Sequence, residues 1–520
     1  GYRLAATSGS LTRTSGAFSI TPGTATQLGF TVQPATTTAG AVITPSVRVA
    51  GLDAFGNTAT SFTGTITIAI GNNPAGGTLS GTTTLVATAG VAVFSSLRID
   101  KAGSGYTLAA TAVSVTGTTS SAFDITAGAA TQLAFTLQPS TAMAGSVITP
   151  AIQVSARDAF GNTATNFISN ITLVLTGGTG TPGATLSGSR TIGAVSGVAT
   201  FATLSLDKSG SGYTLTATAS GLTGSVSAPF TIMSGSATEL LFTVPPTSAT
   251  AGAGIAPPVE VTARDAFGNP ATNFTGDVTV ALATNPGATL SGTTTVAAVA
   301  GVATFAALSI DKSGTGYKMA ASAAGLTPDT SASFTIAAGP ATQLSFTVQP
   351  TTSGAGTTIS PAVRVAALDG FGNVATTFTG SITVAIGSNP ASGTLSGTTT
   401  VAAVGGVAVF STLSIDNVGN NYTLSATTGG VGAATSAQFN VTPGSGSQLV
   451  FTVQPAGAIA GDPITPAVVV TARDAFGNTV TTFTGNVTVE LTAGTGTPGA
   501  NLNGTRTVAA VAGEIGRAHV

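Results

Sequence analysis

General acid–base or nucleophilic chemistry needs a histidine, a cysteine or paired carboxylates converging in a pocket. This 520-residue chain holds no cysteine, one histidine (His519) and 17 acidic residues. Five of those acids head the segment Asp-Ala-Phe-Gly-Asn, at Asp53, Asp158, Asp265, Asp369 (where Gly replaces Ala) and Asp474. Four more, Asp100, Asp207, Asp311 and Asp416, stand a few residues ahead of a tyrosine. A catalytic site needs one convergent constellation, so an acid that recurs in every copy of a repeat reads as structural. The expectation is a non-enzymatic chain, with no catalytic, cofactor-binding or metal-ligating residue assigned.

The Asp-x-Phe-Gly-Asn segment reads as a turn. Its Asp would bond to turn amides, its Phe would plug the end of the sandwich, and Gly or Asn would take positive φ. A sharper alternative has Asp53, Asn57 and their equivalents supply oxygen ligands to structural calcium at domain junctions. The turn carries fewer carboxylates than such a site usually needs. Asp100 with Lys101 reads as a surface ion pair or turn cap of small energetic weight. Asn417 takes the place of that Lys in the fourth copy.

The elements that position these residues repeat. The five motif aspartates are separated by 105, 107, 104 and 105 residues, and all five tyrosines (Tyr2, Tyr106, Tyr213, Tyr317, Tyr422) keep a similar spacing. So does the Phe of Leu-x-Phe-Thr, at Phe30, Phe135, Phe242, Phe346 and Phe451. A period near 105 is too long for a solenoid and fits one small domain. From Asp53 to Asp369 and from Asp158 to Asp474 the step is 316 in both cases, which implies duplication of a three-domain unit.

Composition narrows the class. Only 6% of residues are charged, the formal net charge is −2, and 42% are hydrophobic. That excludes a basic footprint for nucleic acid or an anionic membrane, and it argues against disorder, which goes with low hydrophobicity and high charge. No apolar run reaches the 18 residues of a membrane span. Without Cys each domain must be held by its core, for which about 100 residues suffice.

In the second copy Leu133, Phe135 and Leu137 alternate with small or polar residues. Ile152, Val154 and Ala156 face one way, and Gln153, Ser155 and Arg157 the other. Ile171, Leu173 and Leu175 alternate again, Val198 to Leu206 reads as a strand with a bulge between Phe201 and Leu204, and Tyr213 to Ala219 and Phe230–Ile232 complete the set. Period 2 throughout, with Gly, Asn, Pro and Ser between the runs, predicts about seven short strands per copy and an immunoglobulin-like β-sandwich. Each Tyr precedes a strand as in a tyrosine corner. Thr runs such as Thr82–Thr84 and Thr293–Thr295 read as solvated strand faces rather than a hydroxyl array for a carbohydrate.

The predicted organisation is a fragment of an Ig-like repeat at 1–21, full repeats at 25–126, 130–233, 237–337 and 341–442, and a truncated repeat at 446–513. Residues 514–520 depart from the repeat. They resemble a translated sequencing adapter and are set apart from fold reasoning, His519 with them. Both ends read as assembly limits. Linkers of a few residues predict an elongated, semi-rigid rod in which each repeat adds roughly 35–40 Å.

Across residues 1–513 the order Val-x-Val-x-Ala-x-Asp-x-Phe-Gly-Asn, then Thr-Leu-Ser-Gly-Thr, Gly-Val-Ala-x-Phe and Asp-Lys-x-Gly-x-Gly-Tyr-Thr-Leu-x-Ala-Thr resembles the group 1 bacterial immunoglobulin-like domains of invasin and intimin. The resemblance implies all-β modules that space an adhesive tip from a cell surface. It implies an extracellular or cell-surface location, a spacer or stalk role and, as partners, only the neighbouring repeats of the same chain. The membrane barrel and binding tip of that family have no counterpart in this sequence. The alternative is a module that binds glycan or protein through its end loops. Loops without Trp or aromatic clusters speak against it, since binding hot spots favour Trp, Tyr and Arg.

Overall fold

The structure, a computed structural model, describes residues 1–284 and 287–518. The chain divides into two compact units, Gly1–Ala237 with Arg264–Asn273, and Thr238–Ala263 with Phe274 onward. Among the described residues every regular element is a strand, and the same strand pattern recurs at the repeat period.

The second copy shows how the sequence builds it. Gln132–Leu137, Ile152–Arg157 and Val198–Phe201 form one antiparallel sheet, with Ile152–Arg157 in the middle. Thr191–Gly193, Asn170–Leu175, Leu215–Thr218 and Ser225–Val226 form the facing sheet in that order. A third small sheet joins Ala142–Met143, Phe230–Met233 and Gly210–Tyr213. Ile152, Val154, Ala156, Ile171, Leu173, Leu215 and Ala217 meet between the sheets and are fully buried. A buried aliphatic side chain contributes about 1.5–3 kcal/mol. A core of this size is what lets a domain without a disulfide stand.

Two details differ from the expected strands. Val198 to Leu206 is two strands: Val198–Phe201 stays in the first sheet, and Ser205–Leu206 pairs with Leu186–Ser187. The apparent slip of phase is the chain crossing between partners, which lets both Phe201 and Leu204 point inward. Ser155 is as buried as its neighbours, though it lies on the predicted outer face. Its strand is central, and the Arg157 Nε donates to its Oγ across that face at 3.1 Å. Ala50, Thr262, Ala366 and Thr471 occupy the same place, all small and buried.

The tyrosine corner is present in each full copy. The hydroxyls of Tyr106, Tyr213, Tyr317 and Tyr422 donate to the carbonyls of Lys101, Lys208, Lys312 and Asn417 at 2.7–2.9 Å. All four rings are buried, each tilted against a Phe of the last strand, as Tyr213 is on Phe230 with centroids 5.9 Å apart. The residue before each Tyr needs positive φ: Gly105, Gly212 and Gly316 supply it, and Asn421 supplies it at φ 66 in the fourth copy.

The last copy keeps a smaller core of Val468, Val470, Val487, Ala510 and Ile515. Its Leu449 and Phe451 are 53% and 42% exposed, against 5% and 7% for the equivalent Leu344 and Phe346. Glu514–Ala518, set apart on sequence grounds, forms a strand against Val468–Arg473, with Ile515 opposite Val470 and fully buried. Ladder pairing uses backbone groups, and Glu514–Ala518 takes the place that Val302–Phe305 holds in the third copy. His519 lies outside the described residues.

Candidate functional site

The Asp-x-Phe-Gly-Asn loop is where the repeated polar residues converge. In the second copy Asp158 N–H donates to the Asn162 carbonyl at 2.9 Å, and Gly161 N–H to the Asp158 carbonyl at 3.0 Å, with Gly161 at φ 80. The carboxylate organises the rest. Its Oδ1 accepts the N–H of Phe160 and of Asn162, both at 2.9 Å, and its Oδ2 accepts the linker N–H of Gly128 and the Asn162 Nδ2, both at 2.9 Å. Asp158 is buried, with 2% exposure. Burial pushes its carboxyl up. The Asn162 side chain and the N–H groups of Gly128, Asn162 and Phe160 outweigh that and hold it below the ordinary value of 3.8. Asp265, Asp369 and Asp474 sit in the same balance. At Asp53 the Gly23 N–H is the largest influence, and the carboxyl is again lowered. The turn reading of the loop thus describes its inner half. In it the carboxylate oxygens that calcium would need already accept N–H donors.

The outer half belongs to a different partner. Because Asp158 takes one Nδ2 hydrogen of Asn162, the amide is oriented with its other hydrogen and its oxygen facing the preceding repeat. There Nδ2 donates to the Asp100 carbonyl at 2.8 Å, and Oδ1 accepts the Ala102 N–H at 3.0 Å. Lys101 Nζ donates to the Phe160 carbonyl at 2.7 Å. The Phe160 ring lies over Gly40, where any Cβ would collide with it; Gly40 also has φ +74. The expected roles of two residues change accordingly. Phe160 packs on the neighbouring repeat rather than plugging its own, and Lys101 reaches across the boundary.

The same joint recurs. Asn269 pairs with the Asp207 carbonyl (2.8 Å) and the Ser209 N–H (3.1 Å), Lys208 with the Phe267 carbonyl (2.9 Å), and the Phe267 ring covers Gly145. Asn373 pairs with Asp311 and Ser313, Lys312 with the Phe371 carbonyl, and Phe371 covers Gly252. In the fourth joint Asn478 pairs with Asp416 and Val418, and Phe476 covers Gly356. Asn417 there turns back to the carbonyls of Ala391 and Ser392 in its own repeat.

The tyrosine corner explains how the other side is held still. The Tyr106 hydroxyl fixes the Lys101 carbonyl, Asp100 Oδ1 accepts the Thr78 N–H at 2.6 Å, and the Gly40 N–H donates to the Ile99 carbonyl at 2.8 Å. The short stretch Ile99–Ala102 is thereby presented as a rigid carbonyl and N–H pair beside the glycine seat. The seat glycine carries a signal of its own in the sequence: Gly40, Gly145, Gly252, Gly356 and Gly461 follow the same steps of 105, 107, 104 and 105 as the motif aspartates. The Thr faces are pairing surfaces: Thr67 and Thr84 hydroxyls lie 3.3 Å apart, as do their equivalents Thr172 and Thr191 at 2.9 Å.

Among the described residues no group of three or more His, Cys, Asp or Glu side chains comes together, and no helix is long and apolar enough to cross a membrane. No family model matches the sequence, and no curated protein matches it. Solved structures similar to this chain include the adhesin FdeC of Escherichia coli (20% identity over 60% of this chain and 96% of that one, TM-score 0.30). They also include the integrin-binding protein invasin (12% identity, 82% of each chain, TM-score 0.28) and domains 4–9 of the surface layer protein SbsC (16% identity, 95% and 78%, TM-score 0.18). The strand pattern on its own defines the class of this chain, tandem all-β immunoglobulin-like sandwiches.

Proposed function

We propose that this chain is a non-catalytic spacer, a stalk segment of a bacterial cell-surface adhesin-like protein exposed outside the cell. The observation that carries the reading is the joint: four times over, an Asn amide, a Phe ring and a glycine seat tie consecutive repeats together. A chain of flexibly tethered binding modules has no need of such fixed joints. The joints use up the Phe-bearing end loop at four of its five positions, which weighs against glycan or host-protein binding through that loop. They hold without cofactor, because calcium would first have to displace N–H donors from each carboxylate. A chelator should therefore leave the unfolding temperature unchanged.

Solution X-ray scattering tests the reading. A compact globule of 520 residues has a radius of gyration of roughly 24 Å. The spacer reading expects a value well above that figure. A value near it overturns the proposal.

A further inference from the structure

The first copy carries the same loop with nothing on its outer half. Asp53 N–H donates to the Asn57 carbonyl, Phe55 and Asn57 N–H groups donate to Asp53 Oδ1, and Gly56 has φ 82, each as in the second copy. Yet Phe55 is 90% exposed, against 44–51% for Phe160, Phe267, Phe371 and Phe476. Asn57 is exposed, whereas Asn162, Asn269 and Asn373 are buried. The inner carboxylate therefore shapes the loop fully in the absence of a partner. Binding to a surface already in its bound conformation carries little ordering cost.

We infer that the Phe55–Asn57 loop is a preformed docking surface for the C-terminal end of a complete repeat of this same kind, held beside it in cis. The four occupied loops define the chemistry of that partner. It offers a positive-φ glycine under the ring, a main-chain carbonyl and N–H two residues apart for the Asn57 amide and, in three of the four, a lysine amine for the Phe55 carbonyl. The contact set is two amide hydrogen bonds, one exposed charged one and a half-covered ring, too small to hold two separate molecules at ordinary concentrations. A short linker raises the effective concentration into the millimolar range, which makes it sufficient in cis. The inference rests on the joint reading above.

The chain contains no tryptophan, so Phe55→Trp and Phe160→Trp variants each give a single indole signal. In the chain as it stands, acrylamide should quench the Phe55→Trp indole at least twofold more strongly than the Phe160→Trp indole. If the two are quenched equally, the joint reading itself fails. Residues 237–340 are then placed ahead of residue 25 in place of residues 1–24, which sets the Gly252 seat against Phe55 in the register it has with Phe371. Quenching of the Phe55→Trp indole should fall to the Phe160→Trp level, and Gly252→Ala in the added repeat should restore it. Continued full quenching beside a protected Phe160→Trp indole overturns the docking proposal while leaving the joint reading intact. Protection that rises with protein concentration in the ungrafted chain would assign the partner to another molecule and overturn the cis commitment. Should indole bulk disturb the loop, thermal unfolding serves in its place. Phe55→Ala should be neutral in the present chain and destabilising in the grafted one, as Phe160→Ala is in both; neutrality in the graft overturns the proposal.

Discussion

The loop at Asp53–Asn57 and the loop at Asp158–Asn162 have the same sequence and the same hydrogen bonds from their main-chain N–H groups, but only the second is engaged by a neighbouring repeat. The difference separates two jobs that the motif combines. The buried carboxylate builds the loop and fixes how the Asn amide faces; the neighbour then reads the amide, the Phe ring and the Phe carbonyl. Loop formation is a property of one repeat, and the joint is a property of two.

Acid should blur this comparison most, because it acts on all five carboxylates at once. Each has a folded pKa below its ordinary 3.8, so it stabilises the folded state fully above that value. The contribution disappears as pH falls through the lowered value. Unfolding temperature should be flat from about pH 5 to 8 and drop steeply below pH 3.8, with joints and loops lost together. A flat profile down to pH 2 would show that the carboxylates do not organise the loops.

Next in size is Asp158→Ala. It strips the acceptor from three N–H groups and the Asn162 amide in a buried site, where each unmet donor costs about 1–3 kcal/mol. Some donors can turn to water, so the expected loss in the second repeat is about 3 kcal/mol by denaturant unfolding. Asp53→Ala should cost less, since its loop faces solvent and no joint depends on it. Equal losses would contradict the division between loop and joint.

Gly40→Ala should convert the engaged loop into one like the first. Positive φ alone costs about 1–2 kcal/mol for a residue with a Cβ. Gly461→Ala, also at positive φ but with open space around it, measures that part. Any further effect of Gly40→Ala is the lost seat for Phe160, read as increased exposure of that ring.

Much of this was legible in the sequence, for reasons that also explain the rest. Period-2 burial, the tyrosine corner and the turn chemistry of Asp-x-Phe-Gly-Asn are local, so Ile152–Arg157, Tyr213 and Asp158 could be placed from their neighbours in the chain. The joint is not local. Asn162 meets Asp100 across 62 residues and Phe160 meets Gly40 across 120, and a single repeat read by itself offers no reason for either pairing. The Phe reads as part of its own sandwich because an apolar residue in a turn ordinarily serves the nearest core. Asp100 with Lys101 reads as an ion pair or a turn cap; each side chain is found on a backbone group, Thr78 N–H for one and the Phe160 carbonyl for the other, and the second partner lies in the next repeat, out of reach of a single-repeat reading.

The smallest expected effect concerns that lysine. Lys101 Nζ donates to the Phe160 carbonyl at 2.7 Å in an exposed place, where a charged donor competes with water and is worth about 0.5–1 kcal/mol. Nature's own control is the fourth joint, where Asn417 makes no such bond across the boundary yet Asn478 still pairs with Asp416 and Val418. Lys101→Asn should therefore loosen the first joint only to the level of the fourth, and Asn417→Lys should tighten the fourth to the level of the first. Amide hydrogen exchange at Ala102 and Val418, the two N–H groups held by the Asn side chains, reads both changes. Protection should shift by a few-fold in opposite directions. A tenfold or larger loss at Ala102 on Lys101→Asn would move the centre of the joint from the amide to the amine. It would also make the fourth boundary a hinge rather than a joint.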